Sequence, residues 1–119
     1  MLQICEETHE GIKHFILTGK FDFYSGAAFK DAIAKVVKEG MNHIIVDISK
    51  IPFLDSPSLG IIVASQKKLV PNNGGMALVI DLESEVGKVL TMTALHKLIP
   101  IFGNQKEALE SFTPPVVKD

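Results

Sequence analysis

Ile44-Ile45-Val46-Asp47-Ile48 constrains this chain more than any other segment. Four of its five side chains are β-branched and apolar, and they occupy both alternating sets of positions. A strand built from it has no face to give to water, so it belongs at the centre of a sheet covered by helices on both sides. Helical periodicity flanks it. Phe29, Ala32, Ile33, Val36 and Val37 recur at i, i+3, i+4, i+7 and i+8. That spacing predicts a helix over about Gly26 to Glu39, with Ser25 as N-cap and Gly40 just past its end. A second helix is expected from Pro57 to about Val70, ended by Pro71 and the turn residues Asn72-Asn73-Gly74-Gly75.

The same alternation continues. Met76 to Ile80 reads as a buried strand, Ser84 as the cap of a helix carrying Val86, Val89, Leu90 and Thr93, and Leu98 to Phe102 as a last extended piece. Asn104 with Glu107 makes an N-cap and N3 acid pair opening a final helix with Ala108, Leu109 and Phe112. Ahead of these, Leu2 to Glu6 and His14 to Thr18 read as strands joined through a turn at Glu10-Gly11. The expected architecture is α/β: one domain with a mostly parallel central sheet, an antiparallel N-terminal edge strand and about four helices. At 119 residues, with no repeat or linker, the domain is expected over 1–113, and 114–119, led by Pro114-Pro115, as a flexible tail.

Charge narrows the function classes. Net charge is −2, and all 12 basic residues are lysines. Arginine supplies the planar fork that reads guanine and phosphate bidentately, so its absence argues against nucleic-acid binding. No lysine block and no apolar run of about 20 residues points to a membrane. The acidic N-terminus has no signal-peptide core, and a single Cys excludes an intrachain disulfide, so a cytoplasmic protein is expected.

The candidate site lies where the second helix begins. Functional groups in open α/β sheets gather beyond the carboxyl ends of the strands, which is where Asp55 and Ser56 fall. Ser56 reads as the N-cap with Pro57 at the first helical position, placing a hydroxyl beside an acid where backbone N–H groups could receive a phosphate. A helical wheel buries Leu59, Ile62, Val63, Gln66, Leu69 and Val70. It turns Pro57, Ile61, Ala64 and Lys68 outward, with Ser58 and Ser65 on a flank. With the loop residues Phe53 and Leu54, that outer face forms a candidate docking patch. The bland alternative is a Ser56 that only caps its helix.

Other candidates are weaker. Ser56-Pro57-Ser58-Leu59-Gly60 lacks the first glycine of a G-x-S-x-G elbow that would make Ser58 a nucleophile with His96 as base. His9, His14, His43 and His96 lack metal-ligand spacing and read as surface or strand-edge residues. Cys5 reads as a small buried hydrophobe. Asn73-Gly74-Gly75 lacks the ending of a phosphate loop. No cofactor, metal or catalytic constellation is expected.

Three segments together resemble the STAS domain, the family of bacterial anti-sigma factor antagonists. Leu17-Thr18-Gly19-Lys20-Phe21-Asp22 is similar to the family's L-x-G-x-L-D motif. Val46-Asp47-Ile48 through Phe53-Leu54-Asp55-Ser56-Pro57-Ser58-Leu59-Gly60 is similar to its phosphorylation segment. Thr93 to Phe102, followed by Glu107-Ala108-Leu109, looks like its closing stretch. Pro57 stands where the family usually has Ser or Thr, and Ser58 where it usually has Gly.

The resemblance implies a STAS-like fold and a phosphoacceptor at Ser56. Its implied partners are an anti-sigma factor that is also a serine protein kinase, and a metal-dependent phosphatase of the PP2C type; a weak homodimer is compatible with it. Partner binding is expected to involve Asp22, Phe53, Asp55, Ser56, Pro57, Ser58, Ile61 and Ala64. The chain would regulate transcription indirectly, bound to its partner when Ser56 is unmodified and released when it carries phosphate. The alternative is a STAS interaction module without serine chemistry, as a scaffold or a transporter-associated subunit.

Overall fold

A computed structural model of the chain describes residues 2–72, 74–92 and 95–112. Five strands form one sheet in the order β1-β2-β3-β4-β5. They are β1 (Gln3–His9), β2 (Ile12–Thr18), β3 (His43–Lys50), β4 (Gly75–Val79) and β5 (Ile101–Phe102). β1 pairs antiparallel with β2, and every other neighbouring pair is parallel. The helices are α1 (Gly26–Lys38), α2 (Ser56–Leu69), α3 (Glu85–Met92) and α4 (Gln105–Phe112). This is the expected α/β architecture, with the β-branched run 44–48 in the middle strand.

The covering is two-sided, as that run requires. Phe15, Leu17, Ile44, Val46 and Ile48 pack with Phe29, Ile33 and Val36 of α1, Ile61 and Ile62 of α2, and Val86 and Leu90 of α3. On the opposite face Ile12, Ile45, Ala77 and Val79 meet Ala108, Leu109 and Phe112 of α4. The second cluster is smaller, and α4 covers it.

Local signals act largely as expected. Asn104 Oδ1 accepts the Glu107 N–H at 2.9 Å, and Ser84 Oγ accepts the Gly87 N–H at 3.0 Å. α1 ends with Gly40 at φ 86°, where the Gly40 and Met41 N–H groups return to the Val37 and Val36 carbonyls. That is the paired closure that a left-handed residue after a helix allows. The hairpin runs on to a two-residue turn with Glu10 and Gly11 both at positive φ, so β1 reaches His9 rather than Glu6.

Other expectations are corrected. Ser25 is the N-cap of α1, as expected, but makes no side-chain cap bond, because its hydroxyl is committed to Asp22. The last extended piece shortens to Ile101–Phe102. Cys5 is exposed, on an edge strand whose residues are almost all exposed. His14 is buried at 2% exposure, because it projects from β2 on the α4 side. Thr93 and the tail 114–119 lie outside the described residues. Among the described residues no helix is long and apolar enough to cross a membrane.

α3 is seated by a glycine. A Cβ on Gly87 would overlap the Asp81 carbonyl oxygen and lie 3.0 Å from Leu82 Cα, both backbone atoms with little freedom to yield. Gly87→Ala should therefore cost about 1–3 kcal/mol through overpacking. Thermal unfolding followed by circular dichroism should show Tm lowered by roughly 5–15 °C. An unchanged Tm would mean α3 does not pack this closely.

Candidate functional site

The loops leaving β2 and β3 are stitched together at the carboxyl end of the sheet. Phe21 and Leu54 form an isolated parallel bridge beyond the two strands. Ser58, fully buried on the first turn of α2, donates its hydroxyl to the Phe21 carbonyl at 3.0 Å. Both loops therefore sit on a fixed frame.

Asp55, not Ser56, caps α2. Its backbone is extended at φ −92° and ψ 173°, and its Oδ1 accepts the Ser58 N–H at 2.9 Å. Ser56 and Pro57 are thus the first two helical residues, one position further in than expected. Aspartate caps as well as serine does, and only one of two adjacent candidates can hold the extended conformation a cap needs. The consequence is chemical. Of the first three helical N–H groups, proline has none and Ser58's is taken by Asp55, so little N–H donation is left for a phosphate on Ser56.

Two carboxylates face this end. Ser58 holds the Asp55 carboxyl below the usual carboxylate range, through its hydroxyl first and its backbone N–H second, while the nearby Asp22 charge works the other way. That hydroxyl has one proton and a bond to Phe21, so the N–H is the steadier partner. Ser25 holds Asp22 low as well, through its N–H at 2.8 Å and its hydroxyl at 2.9 Å, with Lys20 at 3.9 Å assisting. Both acids are ionised at neutral pH, so the ground around Ser56 is negative.

Apolar side chains on the same loops and on α2 are also exposed. Ser56, Pro57 and Ala64 are exposed, as expected, and Phe53 is 62% exposed. Phe23 and Tyr24, in the loop before α1, are 63% and 86% exposed and stack edge-to-face at 5.8 Å. A cleft of about 320 Å³ runs between the Pro52–Leu54 loop and Glu85, Val86 and Val89 of α3. The sequence reading missed Phe23 and Tyr24. Their signal was two large aromatics in a capping loop, outside any periodic pattern.

Two of the expected contact residues, Ile61 and Ser58, and Leu54 of the candidate patch do not lie on that surface. Ile61 is buried and packs against Gly26 of α1, where a Cβ would overlap Ile61 Cδ1. Ser58 is fully buried. Leu54 is buried by its bridge to Phe21. The inward stripe of α2 is Ser58, Ile61, Ile62, Ser65 and Leu69, while Val70, expected inside, is 56% exposed.

Comparison with known proteins agrees with this fold. The family model described as STAS domain matches residues 3–108. An anti-sigma F factor antagonist of Paenibacillus polymyxa is 30% identical over 109 residues, covering 91% of this chain and 92% of the relative. The anti-sigma-F factor antagonist RsfB of Mycobacterium tuberculosis is 31% identical over 104 residues, covering 85% of this chain and 81% of that one. The crystal structure of an anti-sigma factor antagonist from Mycobacterium paratuberculosis superposes with a TM-score of 0.81 at 25% identity, covering 93% of each chain.

Proposed function

The chain belongs to the STAS domain family, and from that membership we propose that it acts as an anti-sigma factor antagonist whose docking is switched at Ser56. The observation that carries the reading is an exposed hydroxyl on the first turn of a firmly capped helix, with exposed apolar side chains on the same helix and on the two loops bridged through Phe21 and Leu54. Phe23, Tyr24, Phe53, Pro57 and Ala64 offer the contact area, and Asp22 and Asp55 the polar rim. Aromatic anchors of this kind dominate protein interfaces. Ile61 and Ser58 act from inside, holding the helix that presents them.

The partner is an anti-sigma factor with serine kinase activity. The kinase moves the terminal phosphoryl group of ATP onto Ser56 Oγ, with loss of the hydroxyl proton, and releases ADP. A PP2C-type phosphatase returns the hydroxyl by hydrolysis to inorganic phosphate. Phosphate adds about −1.5 to −2 of charge to a surface already carrying two carboxylates. Because α2 offers it few N–H donors, it stays a solvated charge facing outward. The contact is blocked locally and the fold is kept.

The scarcity of N–H groups also favours a second reading, a STAS module that docks constitutively without serine chemistry. Incubation with the cognate kinase and ATP, followed by intact-mass measurement, separates the two. The switch requires one phosphoryl group on the wild type and none on Ser56→Ala. Partner binding without phosphoryl transfer assigns the constitutive module instead.

A further inference from the structure

On the face opposite the switch, His14 sits on β2 between Glu7 of β1 and Ile45 of β3. Only 2% of its surface is exposed, and neither ring nitrogen has a hydrogen-bond partner among the described residues. It lines a cleft of about 520 Å³ between the β1–β2 turn and α4, walled by Thr8, His9, Glu10, Gln105, Lys106 and Leu109. An imidazole with a donor and an acceptor both unmade in the interior is a standing cost. Nothing in the switch mechanism uses it.

We propose that proton uptake by His14 releases α4 from the sheet. The groups facing it come from every element around the cleft. From β1, the His9 ring meets it edge-on at 4.7 Å, and His9 Nε2 bonds Glu7 Oε1 at 3.0 Å. Glu10 stands at the turn, and Lys106 projects from α4. From β3, Asp47 lies on the same face, with its Oδ2 accepting from Gln105 Nε2 of α4 at 2.9 Å. An imidazolium here has two N–H groups to satisfy and a second histidine beside it. It also competes for the Asp47 carboxylate that Gln105 uses to tie α4 down. Lifting α4 lets water reach both nitrogens.

Linkage sets the direction. Burial first and His9 second hold His14 below the ordinary imidazole range, against the smaller pulls of Glu7 and Asp47. The open form titrates near the ordinary value of about 6.5. The closed form therefore keeps its full advantage above that pH and loses it as pH falls, until the closed-state pKa is reached. From about pH 7.5 to about 5.5 the closed-to-open ratio should fall by up to about tenfold.

Hydrogen exchange, corrected for intrinsic rates, reads this as protection of 105–112 relative to α2. Wild type and His9→Gln should show the fall on acidification, and His14→Gln should be flat. A wild-type ratio that does not change overturns the proposal, as does a fall that persists in His14→Gln. If His14→Gln does not fold, NMR titration of the wild-type imidazole decides. An ordinary midpoint with α4 still protected overturns the latch, whereas a depressed midpoint with α4 amides broadening alongside upholds it.

Discussion

Ile61→Glu should abolish cooperative folding at ordinary temperatures. Ile61 is 6% exposed and fills the space that Gly26 leaves open where α2 crosses α1. Removing its side chain alone would cost about 2–5 kcal/mol through lost burial and the cavity left behind. A carboxyl in its place must be desolvated without a partner or remain protonated, adding several kcal/mol more. The sum reaches the whole stability of a domain this size, about 5–15 kcal/mol. Circular dichroism should show no cooperative melt, or a Tm lowered by tens of degrees. Ala64→Glu, three residues along the same helix but exposed, should stay within about 0.5 kcal/mol of wild type. If Ile61→Glu melts like wild type, α2 is rotated from the orientation described.

That pair marks where sequence patterns stop. The run 44–48 required a two-sided sheet whatever its helices looked like. The caps at Ser84 and Asn104 announced themselves through side-chain chemistry, and the fold was legible for those reasons. The rotation of α2 was not. A wheel drawn from hydrophobicity sets Ser58 and Ser65 on a flank, yet both are buried, their hydroxyls bonded to the Phe21 carbonyl at 3.0 Å and the Ile61 carbonyl at 2.9 Å. Small hydroxyls satisfied by backbone can line a buried face without an unmet polar group, and hydrophobic periodicity does not register them. Gly26 then accommodates Ile61, a pairing between residues 35 apart that neither helix shows alone. The candidate site divides the same way. Asp55 and Ser56 stood out by position, but which of them caps depended on a backbone conformation, and the aromatic rim came from a loop carrying no periodic signal.

Modification of Ser56 should leave the fold intact and weaken docking by roughly two to three decades. Ser56 is exposed at the first position of α2, and its side chain makes no hydrogen bond that a charge would break among those described. A negative group there is favoured by the helix dipole by about 0.3–1 kcal/mol, so Tm should hold or rise slightly. At the interface the balance reverses. In the proposed contact the charge would have to be buried beside Asp22 and Asp55 against a partner shaped for a neutral hydroxyl, at a cost of several kcal/mol. A net loss of about 3–4 kcal/mol corresponds to the stated range in Kd. Ser56→Asp supplies one charge where phosphate supplies nearly two, so it should show a smaller loss, about tenfold or more, while Ser56→Ala binds like unmodified protein. Titration calorimetry of the three forms against the anti-sigma partner measures this directly. Equal Kd for Ser56→Asp and Ser56→Ala would take Ser56 out of the contact, because no interface that covers this hydroxyl could be indifferent to a carboxylate.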